Sequence, residues 1–250
     1  MKVGVTALIA LIWVAGDAPA ARATFGPDGF ETEEISAYTL RDQELKVGPT
    51  AIRYGILGQL QFGTNFALNL VGAFNGDVKW RIFEMPGFAL AVESGVIHFD
   101  PGLVGVDSDF SVTAIPAKLD LSFIASPDFQ LHLRLDYLAA SPDRQAPDSV
   151  LRIERYVGPV GTLAGELSLE WRLGAHFAVV LEYAIPFVMF DRELLFAGED
   201  PGDRFSMMKV AGSLLVTFDA FNVRVGVGYG PSVLGEQGVF PTLDLYWRVF

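Results

Sequence analysis

One stretch, Ala117 to Leu138 (AKLDLSFIASPDFQLHLRLDYL), limits what this chain can fold into more than any other. Leu119, Leu121 and Phe123 alternate with Lys118, Asp120 and Ser122. After Ser126-Pro127-Asp128 the alternation returns, with Leu131, Leu133, Leu135 and Tyr137 set against His132, Arg134 and Asp136. A period of two belongs to a β-strand with one apolar and one polar face, and the Pro-Asp break folds it back as a hairpin. If the polar faces share a side, a three-residue turn at 126–128 places Lys118 opposite Asp136 and Asp120 opposite Arg134. Both pairs are opposite in sign, as cross-strand neighbours prefer.

The same pattern fills the chain from Gln59 onward. Ten runs are well marked: 59–70, 77–83, 88–98, a strand running into the hairpin, its return, 149–173, 177–187, 208–218, 221–229 and 240–250. In the first, Leu60, Phe62, Thr64, Phe66, Leu68 and Leu70 share one parity, which predicts a single strand to residue 70. Two more strands are expected earlier. One lies near Ile35–Leu40, and one spans Glu44 to Tyr54, where Pro49 shifts the apolar parity and a β-bulge is expected. Short turns at 85–87, 126–128, 174–175 and 219–220 alternate with polar loops at 99–109, 141–148, 191–204 and 231–238. The stretch from Ser149 is long enough to project beyond a bilayer.

Composition narrows the setting. Apolar residues make up 51% of the chain and mean hydropathy is +0.35, yet after residue 20 no apolar run is long enough to span a bilayer as a helix. There is no cysteine, hence no disulfide framework and no thiolate metal site. Residues 1–23 read as a secretory signal: Lys2, an apolar core through Ala15, and Ala21-Arg22-Ala23 as the cleavage site. Its removal takes the formal charge from −12 to −13, an acidic balance that argues against a nucleic-acid partner. Residues 24–250 form one domain with no internal boundary.

Period-two alternation fits a soluble barrel with an apolar inside or a membrane barrel with an apolar outside. Three features favour the second. Aromatics (Phe83, Phe88, Phe123, Phe129, Trp171, Phe177, Phe218, Phe221, Trp247, Phe250) crowd the strand ends beside short turns, as an interfacial girdle requires. Ala89, Ala91, Ala178, Ala184, Ala211, Gly226 and Gly228 recur on the polar parity, where a crowded lumen needs small residues. The third is the secretory signal together with an aromatic C-terminus. In these respects the chain resembles bacterial outer-membrane β-barrel proteins, which typically close on a terminal Phe, here in LDLYWRVF, Leu243 to Phe250. Asp244 and Arg248 share the parity of Phe250, a departure from that family's pattern. The resemblance implies an all-β, transmembrane, antiparallel up-and-down barrel of about twelve strands in the outer membrane of a Gram-negative bacterium. It also implies outer-membrane lipid and the barrel assembly machinery as partners.

Function is expected from the polar parity. It carries eight acids (Asp77, Glu93, Asp120, Asp136, Glu166, Glu170, Glu182, Asp244) and eight bases (Lys79, Arg81, Lys118, Arg134, Arg172, Lys209, Arg224, Arg248). A wall so balanced predicts a charge network and a narrow passive channel for small solutes or ions. The alternatives are a structural barrel or a barrel hydrolase. For the hydrolase, His132 and Ser122 would face each other with Asp120 and Asp136 nearby, but with no evident substrate path or oxyanion site, so a lumen hydrogen bond is the expectation. His98 and His176 read as interfacial. The glycine run Gly226 to Gly230 is followed by no helix and is no phosphate loop. Asp100, Asp107, Asp109, Glu199, Asp200 and Asp203 lack EF-hand spacing, and no metal or cofactor is expected.

Overall fold

The structure is a computed structural model that describes residues 35–70, 72–100, 111–142, 162–189, 208–218, 220–231 and 237–249. Its strands are β1 (Leu45–Val47), β2 (Ala51–Ile56), β3 (Leu60–Asn65), β4 (Ala73–Met85), β5 (Phe88–Phe99) and β6 (Val112–Ser126). They continue with β7 (Phe129–Pro142), β8 (Thr162–Arg172), β9 (Phe177–Met189), β10 (Lys209–Phe218), β11 (Phe221–Pro231) and β12 (Gln237–Val249). Each pairs antiparallel with the next, and β1 pairs with β12, so the sheet closes into a barrel of twelve strands.

The register follows from the alternation. Lys118 lies opposite Asp136 and Asp120 opposite Arg134, as the hairpin predicts. The turn is two residues, Pro127-Asp128, and a shift between Ile124 and Ser126 absorbs the third. At the neighbouring Pro86-Gly87 turn, Gly87 takes φ +80°, a conformation open to glycine at little cost.

The faces are inverted relative to a soluble protein. Trp80, Leu135, Leu181, Val225 and Leu243 are exposed outward, whereas Lys79, Asp120, Gln130, His132 and Glu170 are buried inside. Aromatic contacts ring the end with the short turns: Phe88 sits 6.0 Å from Phe83 and 5.0 Å from Phe123, and Phe221 sits 4.7 Å from Trp247.

Four sequence expectations need correction. The run from Gln59 to Leu70 is not one strand. It ends at Asn65 and a short helix, α1 (Phe66–Leu70), follows. There Asn65 Oδ1 accepts from the Leu68 amide, and Asn75 Nδ2 donates to Asn65 O and Asn69 Oδ1. These asparagine bonds take the place of ladder bonds and bend the chain out of the sheet. Glu44 to Tyr54 is not a bulged strand but the hairpin β1–β2, with Pro49 in the turn and the Gly48 amide donating to Ala51 O at 2.8 Å. In the run 77–83, alternation predicts that Phe83 shares the polar parity of Asp77, Lys79 and Arg81. A register shift between Arg81 and Phe83 returns it to the outer face. Ile35–Leu40 is not a strand; it lies inside the barrel and is described next. Residues 1–34 with the expected secretory signal, and residues 101–110, 143–161, 190–207 and 232–236 with most of the expected polar loops and the first part of the expected run 149–173, fall outside the described residues.

Candidate functional site

The lumen is organised around one belt of ions. Lys79 on β4, Glu93 on β5, Lys118 and Asp120 on β6, Arg134 on β7 and Glu166 on β8 all occupy inward positions of adjoining strands. Lys79 Nζ lies 2.9 Å from Asp120 and 3.7 Å from Glu93, and Lys118 Nζ lies 2.7 Å from Glu93. Arg134 reaches Asp120 at 2.6 Å, Glu93 at 3.6 Å and Glu166 at 3.7 Å. Three bases meet three acids across five strands. Charges so deeply placed persist only because each is paired, and each is worth most as part of the set.

The remaining charged positions named from sequence are dispersed. Arg224 binds Glu182 at 2.6 Å and donates to Ser213 Oγ at 2.7 Å, with Asp244 opposite it in register. Arg248 pairs with Glu44, an acid just before β1. Arg81 donates to Gly58 O and pairs with Glu84, and Arg172 donates to Gly174 O, both beside short turns. Lys209 lies 5.6 Å from the Phe240 ring centroid. Asp136 is opposite Lys118 in register, and Asp77 lies against Gly63, where a Cβ would come within 2.6 Å of its carboxylate.

Residues 35–40 fill the lumen beside the belt. Ser36 and Ala37 are almost wholly buried, and Ala37 packs against Ala89 and Ala91. The contacts are polar: Lys79 Nζ donates to Ser36 O, the Ala37 amide to Ser122 Oγ at 2.7 Å, the Leu40 amide to Gln61 Oε1 at 3.1 Å and Thr39 Oγ1 to Gly58 O at 2.8 Å. With the Ala37 amide donating to it, Ser122 Oγ sits 2.7 Å from His132 Nδ1, and His132 Nε2 lies 3.5 Å from Glu170. Ser122, His132 and the carboxylate Glu170 therefore form a chain with no solvent exposure. Sequence alone pairs Ser122 with His132 but misses Glu170, because the third strand's register was not fixed. It also misses the stopper, since a segment inside a lumen has no period. Glu44 and Lys46 were visible only as the polar parity of a short run.

A closed antiparallel barrel, apolar where it meets its surroundings and charged within, is the architecture of an outer-membrane β-barrel. A scan of protein-family models finds no match to the chain, and neither does a search of curated proteins. Matches among solved structures include a NanC porin in a rhombohedral crystal form, at 10% identity and TM-score 0.46, covering 83% of this chain and 96% of that one.

Proposed function

We propose that this barrel is a narrow passive channel of the Gram-negative outer membrane, closed at its short-turn end by residues 35–44. One observation carries the reading: residues 35–40 of the stopper are held to the wall by single hydrogen bonds to side chains and to one turn carbonyl and not by strand pairing, while Gln43 and Glu44 anchor its end to Gly55 and Arg248. Water can replace such bonds at a net cost of about 1 kcal/mol each. The stopper's contacts lie on one side of the lumen, with Gly58, Gln61, Lys79, Ala89, Ala91 and Ser122, and the inward residues of the other wall include the small or polar Ala211, Ser213, Thr217 and Gly226. The belt is formally neutral, so the bore presents no single-sign field to an ion. Ser122, His132 and Glu170 serve as fastening for the stopper, since Ser122 Oγ already accepts the Ala37 amide.

Planar-bilayer recording of the mature protein and of a variant lacking residues 24–43 tests this. The mature protein should show small, infrequent openings, and the variant a steady low conductance. Silence from both would overturn the channel reading. It would leave a structural barrel, which the tie across β4 to β8 favours as the second reading.

A further inference from the structure

Beyond Arg224, β11 carries no side chain on its lumen side. Its inward positions there are Gly226, Gly228 and Gly230, the run that makes no phosphate loop, with Ala211 and Ser213 beside them on β10. A Cβ on Gly226 would meet backbone, 2.2 Å from Gly212 O, so close approach of β10 accounts for that glycine. Gly228 meets a side chain instead. A Cβ there would stand 2.3 Å from Cζ and 2.5 Å from Cε2 of Phe240, its direct partner on β12. The far end of the ring therefore takes the space that a side chain at 228 would fill, and the ring leans across β11.

The setting of this ring differs from that of the other aromatics. Trp80, Trp171, Phe177 and Phe218 are turned outward to lipid. Tyr246, inward on the same strand as Phe240, is buried, with Lys46 Nζ 4.1 Å from its ring centroid. Phe240 is only partly covered, and the exposed Lys209 holds its ammonium over the ring, 5.6 Å from the centroid. The stopper's contacts lie with β3 to β6 and the β2–β3 turn, so this ring has no part in fastening it.

We propose that Phe240, with the glycine-floored wall beside it, is a stacking subsite for a neutral sugar ring passing through the lumen. The proposal rests on the channel reading and names its class of solute. The face of a phenyl ring is weakly negative and attracts polarised C–H groups, which a pyranose presents on its flat faces. Charge argues against other flat ligands. Nearest the ring, Lys209 and Arg224 stand with Glu166, Glu182 and Asp244. Arg224 binds Glu182 at 2.6 Å and lies opposite Asp244, and Glu166 is two strands from Lys209 through Ala184. Glu170, Arg172 and Arg248 bring the inward charges of β8–β12 to four acids and four bases. An anion meets more acid than base beside the ring, and a second cation meets the Lys209 ammonium already there. A hydroxyl both donates and accepts, so a ring of hydroxyls finds partners of both kinds in such a wall.

Saturation-transfer NMR of methyl β-D-glucopyranoside with the mature barrel in phosphatidylcholine nanodiscs tests the subsite without any current. Irradiation of the aromatic protons should reach the sugar's ring C–H protons more strongly than its methoxy protons. Phe240→Leu should weaken binding about fivefold, the share one aromatic contact contributes, and Phe240→Trp should retain it. Gly228→Ala keeps the ring but pushes its tip away, and should weaken binding to a similar extent. Sorbitol, which has the hydroxyls without the ring, should bind far more weakly. Equal binding of sorbitol would overturn the proposal, and so would tighter binding of glucuronate or choline than of the neutral glycoside. Binding left unchanged by both Phe240→Leu and Gly228→Ala would overturn it as well. Sugar binding at Phe240 in a barrel that never conducts, even without residues 24–43, would overturn the channel reading alone. Steady conductance in a barrel that takes up no saturation-transfer signal from the sugar would overturn the subsite alone.

Discussion

Arg134 on β7 and Asp120 on β6 stand directly opposite one another, with Nε 2.6 Å from Oδ1 and a second guanidinium nitrogen 3.2 Å from Oδ2. This two-point contact holds the centre of the belt, because Asp120 also binds Lys79 and Arg134 also reaches Glu93 and Glu166. Replacing Arg134 with Met leaves Asp120 and Glu166 short of positive charge in a buried place. The expected loss is about 3–5 kcal/mol of folding stability, measured by urea titration in lipid vesicles. Asp120→Asn combined with Arg134→Met should cost less than the two single losses added together, since each single variant strands a charge. Strict additivity would mean that the contact is not coupled.

The outer face predicts a different kind of cost. Leu181 is half-exposed to lipid in the middle of β9, so Leu181→Arg should lose about 2–4 kcal/mol near the midplane, and Leu121→Arg and Leu133→Arg similarly. Ala184 on the same strand as Leu181 faces the lumen opposite Glu166 and Lys209, and Ala184→Arg should escape that lipid penalty. Ser122→Arg and Ala178→Arg also avoid lipid, but both sites are wholly buried and must pay for overpacking instead. Refolding yields that fail to separate Leu181→Arg from Ala184→Arg would contradict the orientation of the faces.

How much of this was legible depended on whether a residue's neighbours were set by a turn. The pairing of Lys118 with Asp136 and of Asp120 with Arg134 could be read because the three residues counted to the turn set the right offset, which the structure reaches with a two-residue turn and a shift between Ile124 and Ser126. Lys79 meeting Asp120 could not, since it skips a strand and depends on barrel curvature and strand tilt. The short strands show the same limit from the other side. Phe66, Leu68 and Leu70 continue a strand's parity faithfully, but the side-chain bonds of Asn65, Asn69 and Asn75 stop the strand, and such local competition leaves no period. The stopper was invisible because its contacts are made with a wall that exists only after closure.

The stopper makes a prediction at one hydroxyl. Ser122→Ala removes the acceptor of the Ala37 amide and leaves that buried N–H unsatisfied, at about 1–3 kcal/mol against the plugged state. Openings in bilayer recordings should then become several-fold more frequent while the conductance of each stays the same. A changed unit conductance with unchanged frequency would place Ser122 in the conducting path and not in the fastening.

Close approach of strands predicts a third kind of sensitivity. A Cβ on Gly226 would lie 2.2 Å from Gly212 O, and one on Gly95 2.3 Å from Gly76 O. Both obstacles are backbone, which cannot swing aside. Gly226→Ala and Gly95→Ala should each cost about 1–3 kcal/mol by the same urea titration, and Gly238→Ala, where nothing lies within 4 Å, should not. Equal stability of all three variants would show that the strands separate freely at these points.

Ion selectivity gives the last prediction, and it separates the wall from the loops. The belt opposes three bases to three acids, and Arg224–Glu182 and Arg248–Glu44 add balanced pairs, so the bore itself supplies no preference. The mature chain nevertheless carries −13, and acids such as Asp100, Asp107, Asp109, Glu199, Asp200 and Asp203 lie in or beside the long connections. Cations should therefore be enriched at the long-loop mouth only as far as the field extends. That distance falls from about 10 Å at 0.1 M salt to about 3 Å at 1 M. In the variant lacking residues 24–43, reversal potentials should show mild cation preference in dilute salt and almost none at 1 M. Adding Arg134→Met should raise cation preference and make it persist at high salt, because the uncovered acids then stand in the bore itself. A large anion-selective current from the stopperless barrel would defeat this account, since a neutral wall beneath acidic loops has no means of producing it.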